Sequence, residues 1–599
     1  MISLNNLLLG MFSLLFVAFG PGFLIYKYFL PDKKIFWPLV FGFSLLTIFY
    51  VSFLASFIGM YNFYFSIGFV TLILVGLLFF GKFKKINFDL DKNSLWLILL
   101  FILLAWPRIL FSFFFPFTVG DAWASWNRWA VEWFRLSSFS FVNDFTYPQL
   151  LPVNLSFIYK LFNQVYVSEY FSHGLTVLFS LFILLLLAHF RSNLSHLTIY
   201  VFSLYFLTNQ SSFFSVAIGD GLADILVAFF IILSLYLWQE YINNKDRRYL
   251  YLTFIMAATG VLTKQAGLFF WIVLPAIIIF YDVKFLGDKL RESFKRIFYP
   301  FIISLILILP WYGIQQFSQV ATFDQIQDAL NGRSILNRIL TSIYILVQNF
   351  GIYLSVDNQS DLLISLIVFI FGLILLFGIW QAIKKSSFYN ILWWFYILPY
   401  GILWVLIYSY DARNAFIVLI LAFFISFDGI LSYSEKYKDY IKFIYNFRFR
   451  LLIVFILFLS VFIQRPLYSH IKNPLDFNIM TSSFTSKVGA VSIGDRDLVE
   501  ALFNDFKKGD ILLTNDQVLV IKLHLEDRSI MVNDSYLDAS KSLSGAYLDS
   551  FEDIDVVLWQ GQFLRPDELT KSLENVLGKN RLELLYYKGN RFLYKVKSL

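Results

Sequence analysis

The chain has 599 residues, of which 58% are hydrophobic and 21% aromatic, and its mean hydropathy is +0.68. This composition excludes an ordinary globular domain and predicts a polytopic membrane protein whose surroundings are lipid rather than nucleic acid. The chain has no cysteine, so it cannot form disulfides or thiolate metal sites. Its net charge of +7 becomes informative only once the charges are assigned to the two sides of a membrane.

Apolar runs of about 20 residues recur along the chain, and each is long enough to cross roughly 30 Å of hydrocarbon. They predict about fourteen membrane helices. The first run lacks the basic start and the small-residue cleavage site of a signal peptide, so we interpret it as a span. The predicted spans lie near residues 4–26, 36–58, 62–81, 94–115, 170–190, 197–214, 220–241, 249–263, 265–283, 297–315, 361–383, 390–409, 413–430 and 450–465.

Basic residues concentrate in every second connection between these spans. By the positive-inside rule those connections are cytoplasmic. The N-terminus, the loops 116–169 and 316–360, and everything after about residue 466 are then predicted to be extracytoplasmic. The basic residues are Lys27, Lys33, Lys34, Lys82, Lys84, Lys85, Arg191, Lys245, Arg247, Arg248, Lys284, Lys289, Arg291, Lys295, Arg296, Lys384, Lys385, Lys436, Lys438, Lys442, Arg448 and Arg450.

A smaller set of charges lies on the opposite side, at or near the ends of predicted spans. Ionisable groups in such positions are costly to bury and usually line a cavity or a pathway. We therefore predict a polar site on the extracytoplasmic face. The charges are Asp121, Arg128, Glu132, Arg135, Asp144, Glu169, Asp220, Asp224, Lys264, Asp411 and Arg413.

The segment "VGDAWASWNRWAVEWFR", residues 119–135, has the spacing of an amphipathic helix. At 100° per residue Asp121, Arg128 and Arg135 share one face, and Trp126 and Trp133 lie on the other. This pattern predicts a helix in the membrane interface with its tryptophans resting on lipid. A simpler interpretation of Asp121 is that its carboxylate only caps the helix.

The segment "NDFTYPQLLPVNLSFIYKL", residues 143–161, follows in the same loop. Its Tyr-Pro and Leu-Pro steps predict extended turns rather than helix. Tyr147 is a candidate for contacting a sugar, although most tyrosines at this depth are interface anchors. The loop 316–360 predicts a pair of short amphipathic helices around Asn331-Gly332 that closes over an acceptor.

Five segments in chain order carry a resemblance to a known family. The DA-x-x-x-W pattern within 119–135 is followed by YP-x-LLP at 147–152. "GDGLADILVAFFIILSLYLW" (219–238) contains an AD segment, and "LTKQAGLFFWIVLP" (262–275) contains an LTK-x-x-GL segment. "YDARNAFIVLILAFF" (410–424) is a late arginine-bearing span. Together they resemble the C-type membrane glycosyltransferase superfamily, GT-C, which includes protein O-mannosyltransferases and the aminoarabinose transferases of lipid A.

The resemblance implies transfer of a sugar from a polyprenyl-phosphate carrier to a lipid, glycan or protein acceptor at the outer face. Such a transfer needs an ionised carboxylate to accept the acceptor's proton, and Asp121 is the candidate for this general base. No second carboxylate stands at a defined spacing as nucleophile, so single displacement with inversion is expected. Arg413, Lys264 and Arg128 are the candidates for holding the donor phosphate.

Four further residues are candidates for contacting the sugar or the acceptor, namely Asp220, Asp224, Tyr147 and Trp126. Asp220 and Asp224 lie four residues apart on one helical face, which suits sugar hydroxyls or a shared divalent cation. They also suit plain helix-start charges. The metal requirement therefore stays open.

Simpler roles also exist for the two strongest cation candidates. Lys264 is explained equally by snorkelling from a span end to water. Arg413 is explained by an ion pair with Asp411 or another carboxylate.

After about residue 466 the composition becomes that of a soluble domain. β-like runs such as "GDILLTND" and "DVVLWQ" alternate with helical patterns such as "RDLVEALFNDF" and "PDELTKSLENVL". The sequence thus predicts a membrane domain over 1–465 and a small extracytoplasmic α/β domain over 466–599. That domain either contacts the acceptor or serves packing and assembly.

Two other classes of function remain open at this stage. A flippase for lipid-linked sugars, or another polytopic transporter, usually has internal repeats and broken helices at mid-membrane. We find no convincing repeat, and the charges gather at one face, which favours an enzyme. A non-catalytic membrane scaffold is the third alternative.

Overall fold

The computed structural model describes residues 4–81, 122–136, 147–189, 223–317, 334–340, 360–408 and 412–434, parts of 496–597, and a few isolated residues between these ranges. The chain divides into two compact units. One unit consists of Met1–Leu7, Phe114–Val131 and Tyr468–Leu599, and the other of Leu8–Phe113 and Glu132–Leu467.

The second unit is built mainly from long apolar helices. In the described ranges seven helical segments are long and apolar enough to cross a membrane, which makes this a multi-pass membrane protein. In chain order the helices are α1 (Leu4–Phe29), α2 (Trp37–Phe57), α3 (Phe63–Gly81), α4 (Arg128–Arg135), α5 (Leu150–Phe162), α6 (Tyr166–His189), α7 (Ala223–Asn244), α8 (Arg247–Val261), α9 (Ala266–Tyr281), α10 (Leu290–Phe317), α11 (Ser360–Lys385), α12 (Ser387–Leu392), α13 (Leu398–Leu403) and α14 (Phe416–Ser434).

Most predicted spans coincide with one of these helices. Those near 197–214 and 450–465, and nearly all of 94–115, lie outside the described residues, so the total of about fourteen spans stays a prediction. The span predicted over 390–409 is a composite of α12, α13 and two π-helical turns, Trp393–Ile397 and Trp404–Tyr408. In the loop 316–360 the structure describes little beyond residues 334–340, so the predicted helix pair and its closing motion are untested.

The prediction of extended turns before residue 161 is wrong for its second half. Helix α5 begins at Leu150 and every one of its residues is buried. Pro152 is tolerated because it lies in the first helical turn, where a backbone N–H has no partner within the helix. The Asn154 amide donates to Leu45 O at 3.0 Å and to Leu150 O at 2.8 Å. The segment is therefore a buried helix of the bundle rather than a shaped loop.

The tryptophan-rich segment is helical, as predicted, but its apolar face does not rest on lipid. A π-helical turn, Ala122–Asn127, leads directly into α4. Trp126 is 3% exposed and Trp133 is 1% exposed. The Trp126 ring packs edge to face on that of Trp129, and the Trp133 ring packs edge to face on that of Tyr61, as aromatic pairs prefer.

Helices α11 and α14 approach each other through small residues. A Cβ added at Gly429 would overlap the carbonyl oxygen of Gly378. Beside this crossing the Ser426 hydroxyl donates to Leu375 O at 2.7 Å. Small residues allow such close approach, and dispersion contacts then stabilise the helix pair in the absence of a hydrophobic driving force.

We expect Gly429→Ala to lower stability by about 1–3 kcal/mol, because the new methyl group forces the two backbones apart. The measurement is the midpoint of thermal unfolding in detergent. Gly313→Ala on α10 is the matched control, since a Cβ there meets nothing within 4 Å. Alanine is the better helix former, so the control is expected to unfold at the same or a higher temperature. Equal midpoints for the two variants would contradict the close crossing of α11 and α14.

The C-terminal region forms a small mixed sheet with a helix on each face, which confirms the predicted α/β elements. The elements are α15 (Arg496–Asp505), β1 (Leu512–Thr514), β2 (Ser529–Met531), β3 (Val556–Gln560), α16 (Pro566–Leu577), β4 (Leu582–Lys588) and β5 (Arg591–Val596). The strand order is β2-β1-β3-β5-β4; β1 pairs in parallel with β2 and β3, and β5 is antiparallel to β3 and β4. One apolar core includes Leu502 of α15 and the other Leu573 of α16.

Candidate active site at Asp224 and Lys264

Two of the predicted site residues form a direct ion pair. The Lys264 ammonium lies 2.7 Å from Oδ1 of Asp224, although the two residues are 40 positions apart in sequence. The Lys264 side chain is 13% exposed and that of Asp224 is 3% exposed. The structure therefore brings into contact two of the residues that the sequence analysis assigned to one polar site.

The position of Lys264 is fixed by a tight connection between α8 and α9. The backbone N–H groups of Thr263 and Lys264 both donate to Gly260 O, at 3.2 and 3.3 Å, and Gly267 N donates to Lys264 O at 3.0 Å. A Cβ on Gly267 would lie 2.6 Å from the carbonyl group of Gly260. Only glycine allows so close an approach of the two helix ends. The "LTKQAG" stretch thus forms a compact corner that presents the lysine.

Asp224 is the second residue of α7, so its carboxylate lies at the positive end of the helix dipole. The helix start alone would stabilise a carboxylate there. The ion pair adds a partner from the connection between α8 and α9, which means that Asp224 is more than a helix-start charge.

Asn414 is the third member of the cluster. The Lys264 ammonium donates to Asn414 Oδ1 at 3.4 Å, and the Tyr400 hydroxyl donates to Asn414 O at 3.0 Å. Asn414 belongs to the 3-10 turn Ala412–Ala415 that precedes α14. Lys264 therefore connects the ends of three helices, α7, α9 and α14.

Sequence reasoning missed Asn414, and one signal for it was available. The residue directly follows Arg413 in the "DARN" stretch, where a second polar side chain at the start of an apolar helix requires a polar partner. The candidate residues were chosen for their charge, and the side-chain amide of Asn414 is uncharged.

The snorkelling alternative does not describe Lys264. A snorkelling lysine extends its ammonium into water, whereas this one is directed at a buried carboxylate and an amide oxygen. A buried charge without a partner is strongly destabilising, so the two groups stay together. The ion pair therefore holds the Lys264 ammonium at a defined position.

The segment carrying Tyr147 is tied to the same corner. Leu150 N donates to Leu262 O at 3.1 Å, which joins the start of α5 to the connection that presents Lys264. The buried Gln149 side chain donates to Tyr147 O at 2.8 Å and accepts from Trp133 Nε1 at 3.1 Å. The backbone at Tyr147 is thereby fixed near this end of the bundle, and the side chain is half-buried.

The remaining predicted residues are not brought into this cluster by the described structure. Asp121, Asp220 and Asp411 lie outside the described residues, and for Arg413 only the backbone, in the 3-10 turn, is described. Their assignments stay predictions.

Arg128 and Trp126 fall in the first of the two units. Arg128 begins α4, with its side chain half-buried, and Trp126 lies in the preceding π-helical turn. Within that turn and helix the Trp126 and Trp129 rings meet edge to face at 5.4 Å. Neither role predicted for these two residues is tested.

A buried lysine that the sequence analysis did not single out lies elsewhere in the bundle. Lys160 of α5 is 6% exposed, with its ammonium 5.0 Å from the ring of Tyr61 and 5.4 Å from that of Phe134. It also donates to Leu136 O at 3.4 Å. Among the described residues no carboxylate pairs with Lys160. The aromatic faces stabilise its charge instead.

In the parts of the chain that the structure describes, no three His, Cys, Asp or Glu side chains are grouped to hold a metal ion. The pairing of Asp220 with Asp224 around a divalent cation is untested, since Asp220 is not among them.

No protein-family model matches the sequence. An uncharacterized protein of Aquifex aeolicus (strain VF5) is 33% identical over 94 residues, a stretch that spans 16% of this chain and only 18% of that protein. Among solved structures, the crystal structure of ArnT from Cupriavidus metallidurans bound to undecaprenyl phosphate superposes with a TM-score of 0.51 at 13% identity. The superposition covers 83% of this chain and 97% of ArnT.

The fold is similar to that of ArnT. The expected resemblance to the C-type membrane glycosyltransferases is therefore confirmed at the level of the fold. At 13% identity the likeness concerns the path of the chain and not the chemistry of individual side chains.

Proposed function

We propose that this protein is an integral-membrane glycosyltransferase that moves a sugar from a polyprenyl-phosphate donor to an acceptor at the extracytoplasmic face. The observation that carries the proposal is the similarity of fold to nearly the whole of ArnT, a protein crystallised with undecaprenyl phosphate. The cluster of Asp224, Lys264 and Asn414 supports it, because it places a fixed cation at the ends of membrane helices.

The proposed reaction is a single displacement at the anomeric carbon. The acceptor hydroxyl oxygen forms the new glycosidic bond while the bond between the anomeric carbon and the phosphate oxygen breaks. Asp121 takes the hydroxyl proton, and the polyprenyl phosphate leaves as a stable anion, so no strong general acid is required. One displacement inverts the anomeric configuration.

In this proposal the donor phosphate is held by Lys264, Arg413 and Arg128. A lysine acts as a point charge and arginine forms bidentate bonds to phosphate oxygens. Asp224 is assigned to positioning the ammonium of Lys264 through the 2.7 Å contact. Asp220, Tyr147 and Trp126 keep their proposed roles toward the sugar or the acceptor, and a divalent cation at Asp220 stays open.

The experiment is a transfer assay with the full-length protein in lipid vesicles. A panel of polyprenyl-phosphate sugars labelled in the sugar is supplied, and both the freed polyprenyl phosphate and the labelled product are measured. We expect stoichiometric release of the two, with the anomeric configuration of the product inverted. Movement of intact donor across the vesicle membrane without cleavage would contradict the proposal and favour a flippase.

A further inference from the structure

A cavity of about 500 Å³ lies at the end of the helix bundle opposite to Asp224 and Lys264. Along α7, Asp224 is in the first turn and Asn244 is the last residue, which separates the two ends by roughly 30 Å. Further walls of the cavity come from Tyr26 of α1, His189 of α6 and Tyr249 of α8. We call this cavity the basic-end pocket, since basic residues crowd the connections at this end of the bundle.

The rim of the basic-end pocket is the connection 30–36 between α1 and α2, and side chains from α1 and α8 help to hold it in place. The Tyr26 hydroxyl donates to the carbonyl of Lys34. The Arg248 guanidinium donates to Phe29 O at 3.2 Å, just before the connection. The rim is therefore preformed, as ligand pockets usually are.

The lining carries more positive than negative charge. Lys33 and Lys34 lie on the rim, and Glu240 is the acidic side chain in the lining. Glu240 Oε2 already accepts from the Asn244 amide at 2.8 Å. Among the described residues no carboxylate lies within ion-pair distance of the Lys33 ammonium, which is 5.9 Å from the centre of the Tyr249 ring. It also interacts electrostatically with Asp246, whose carboxylate is already paired with Arg248. An ammonium in this position is able to take a phosphate oxygen.

Aromatic side chains form one wall of the pocket. Phe36 stacks on Tyr236 with ring centroids 4.7 Å apart and meets His189 edge to face at 5.3 Å. His189 Nδ1 lies 2.6 Å from Leu185 O, which can only accept, so the proton is on Nδ1 and Nε2 is the ring atom that can meet a ligand. The pocket thus offers both polar contacts and flat apolar surface.

We propose that the basic-end pocket binds the phosphate of an anionic phospholipid headgroup, with Lys33 on the phosphate oxygens and the Phe36–Tyr236 wall against the headgroup carbons. The pocket lies at the ends of apolar helices, which is the level of the lipid headgroups. Its volume falls in the range of small-molecule sites. Basic pockets between membrane helices recognise anionic headgroups, and by the positive-inside rule this end faces the anionic cytoplasmic leaflet.

The experiment measures binding to the full-length protein in a neutral detergent. Native mass spectrometry counts bound dioctanoyl phosphatidylglycerol, with dioctanoyl phosphatidylcholine and free glycerol phosphate as comparison ligands. Lys33→Gln is expected to weaken phosphatidylglycerol binding at least about fivefold. Lys284→Gln is the matched control, because Lys284 is exposed at the same end but lies outside the pocket, over the ring of Phe280 at 5.2 Å. The control is expected to keep wild-type binding.

Each alternative outcome overturns the assignment in a different way. Equal losses in the two lysine variants would show attraction to general surface charge rather than a site. Equal binding of phosphatidylcholine and phosphatidylglycerol would show that the net negative charge of the headgroup is not recognised. Glycerol phosphate bound as tightly as phosphatidylglycerol would assign the pocket to a free phosphate ester. Because the readout is binding and not sugar transfer, the result is independent of the proposed function.

Discussion

Lys264→Met is expected to abolish most sugar transfer and also to destabilise the protein. The substitution leaves Asp224 buried without its 2.7 Å partner. Breaking a buried pair by removing one member costs about 3–5 kcal/mol. Loss of a fixed cation beside the phosphate is expected to lower the transfer rate about a hundredfold in addition. The two effects are measured by thermal unfolding in detergent and by the labelled-donor assay.

A double variant separates the structural role of Lys264 from its role in transfer. Asp224→Asn combined with Lys264→Met removes both charges, so most of the lost stability is expected to return. Transfer is expected to stay about a hundredfold below wild type, because the phosphate still lacks its cation. Lys284→Met, at the far end of α9, is the matched control for the loss of one lysine. Recovery of wild-type transfer in the double variant would reduce Lys264 to a purely structural role.

Asp121→Asn is expected to lower transfer at least about a hundredfold, which is the contribution of a positioned general base. Asparagine keeps the size of the side chain and its ability to cap a helix, so stability is expected to change little. The assay is again release of polyprenyl phosphate from a labelled donor, with the thermal midpoint recorded for the same preparation.

The matched control for Asp121→Asn is Asp288→Asn. Asp288 lies in the connection between α9 and α10, at the end of α9 away from Lys264, and pairs with Arg296 of α10. The same chemical change there is expected to leave transfer at the wild-type rate. If Asp121→Asn also transfers at the wild-type rate, Asp121 is not the base.

The described helices follow closely from the sequence. Apolar runs such as Trp37–Phe57 and Ala223–Asn244 are long enough to span a membrane, and a helix is the structure that satisfies every backbone group there. The short apolar run of β3 and the turn residues around it likewise predicted a strand near the C-terminus. The local sequence was sufficient to predict these elements, because the length and hydrophobicity of an apolar run largely determine whether it forms a membrane helix or a buried strand.

Two of the three residues in the observed cluster were also accessible from the sequence. A carboxylate at Asp224 and an ammonium at Lys264 are too costly to bury singly, so each required a partner. The sequence did not say that they are each other's partner. Nor did it indicate that Asn414, 150 positions further on, completes the contact.

The amino-acid sequence was enough to identify the apolar helices, the connections that carry the basic residues, and the few ionised groups that need partners. The pairing of Asp224 with Lys264, the helical start of α5 at Leu150, and the burial of Trp126 and Trp133 became evident only in the folded chain. This is because hydrophobicity and helix formation are local properties of a segment. The partner of a buried charge or a tryptophan ring depends on which helix packs beside it, and that is set by the whole bundle.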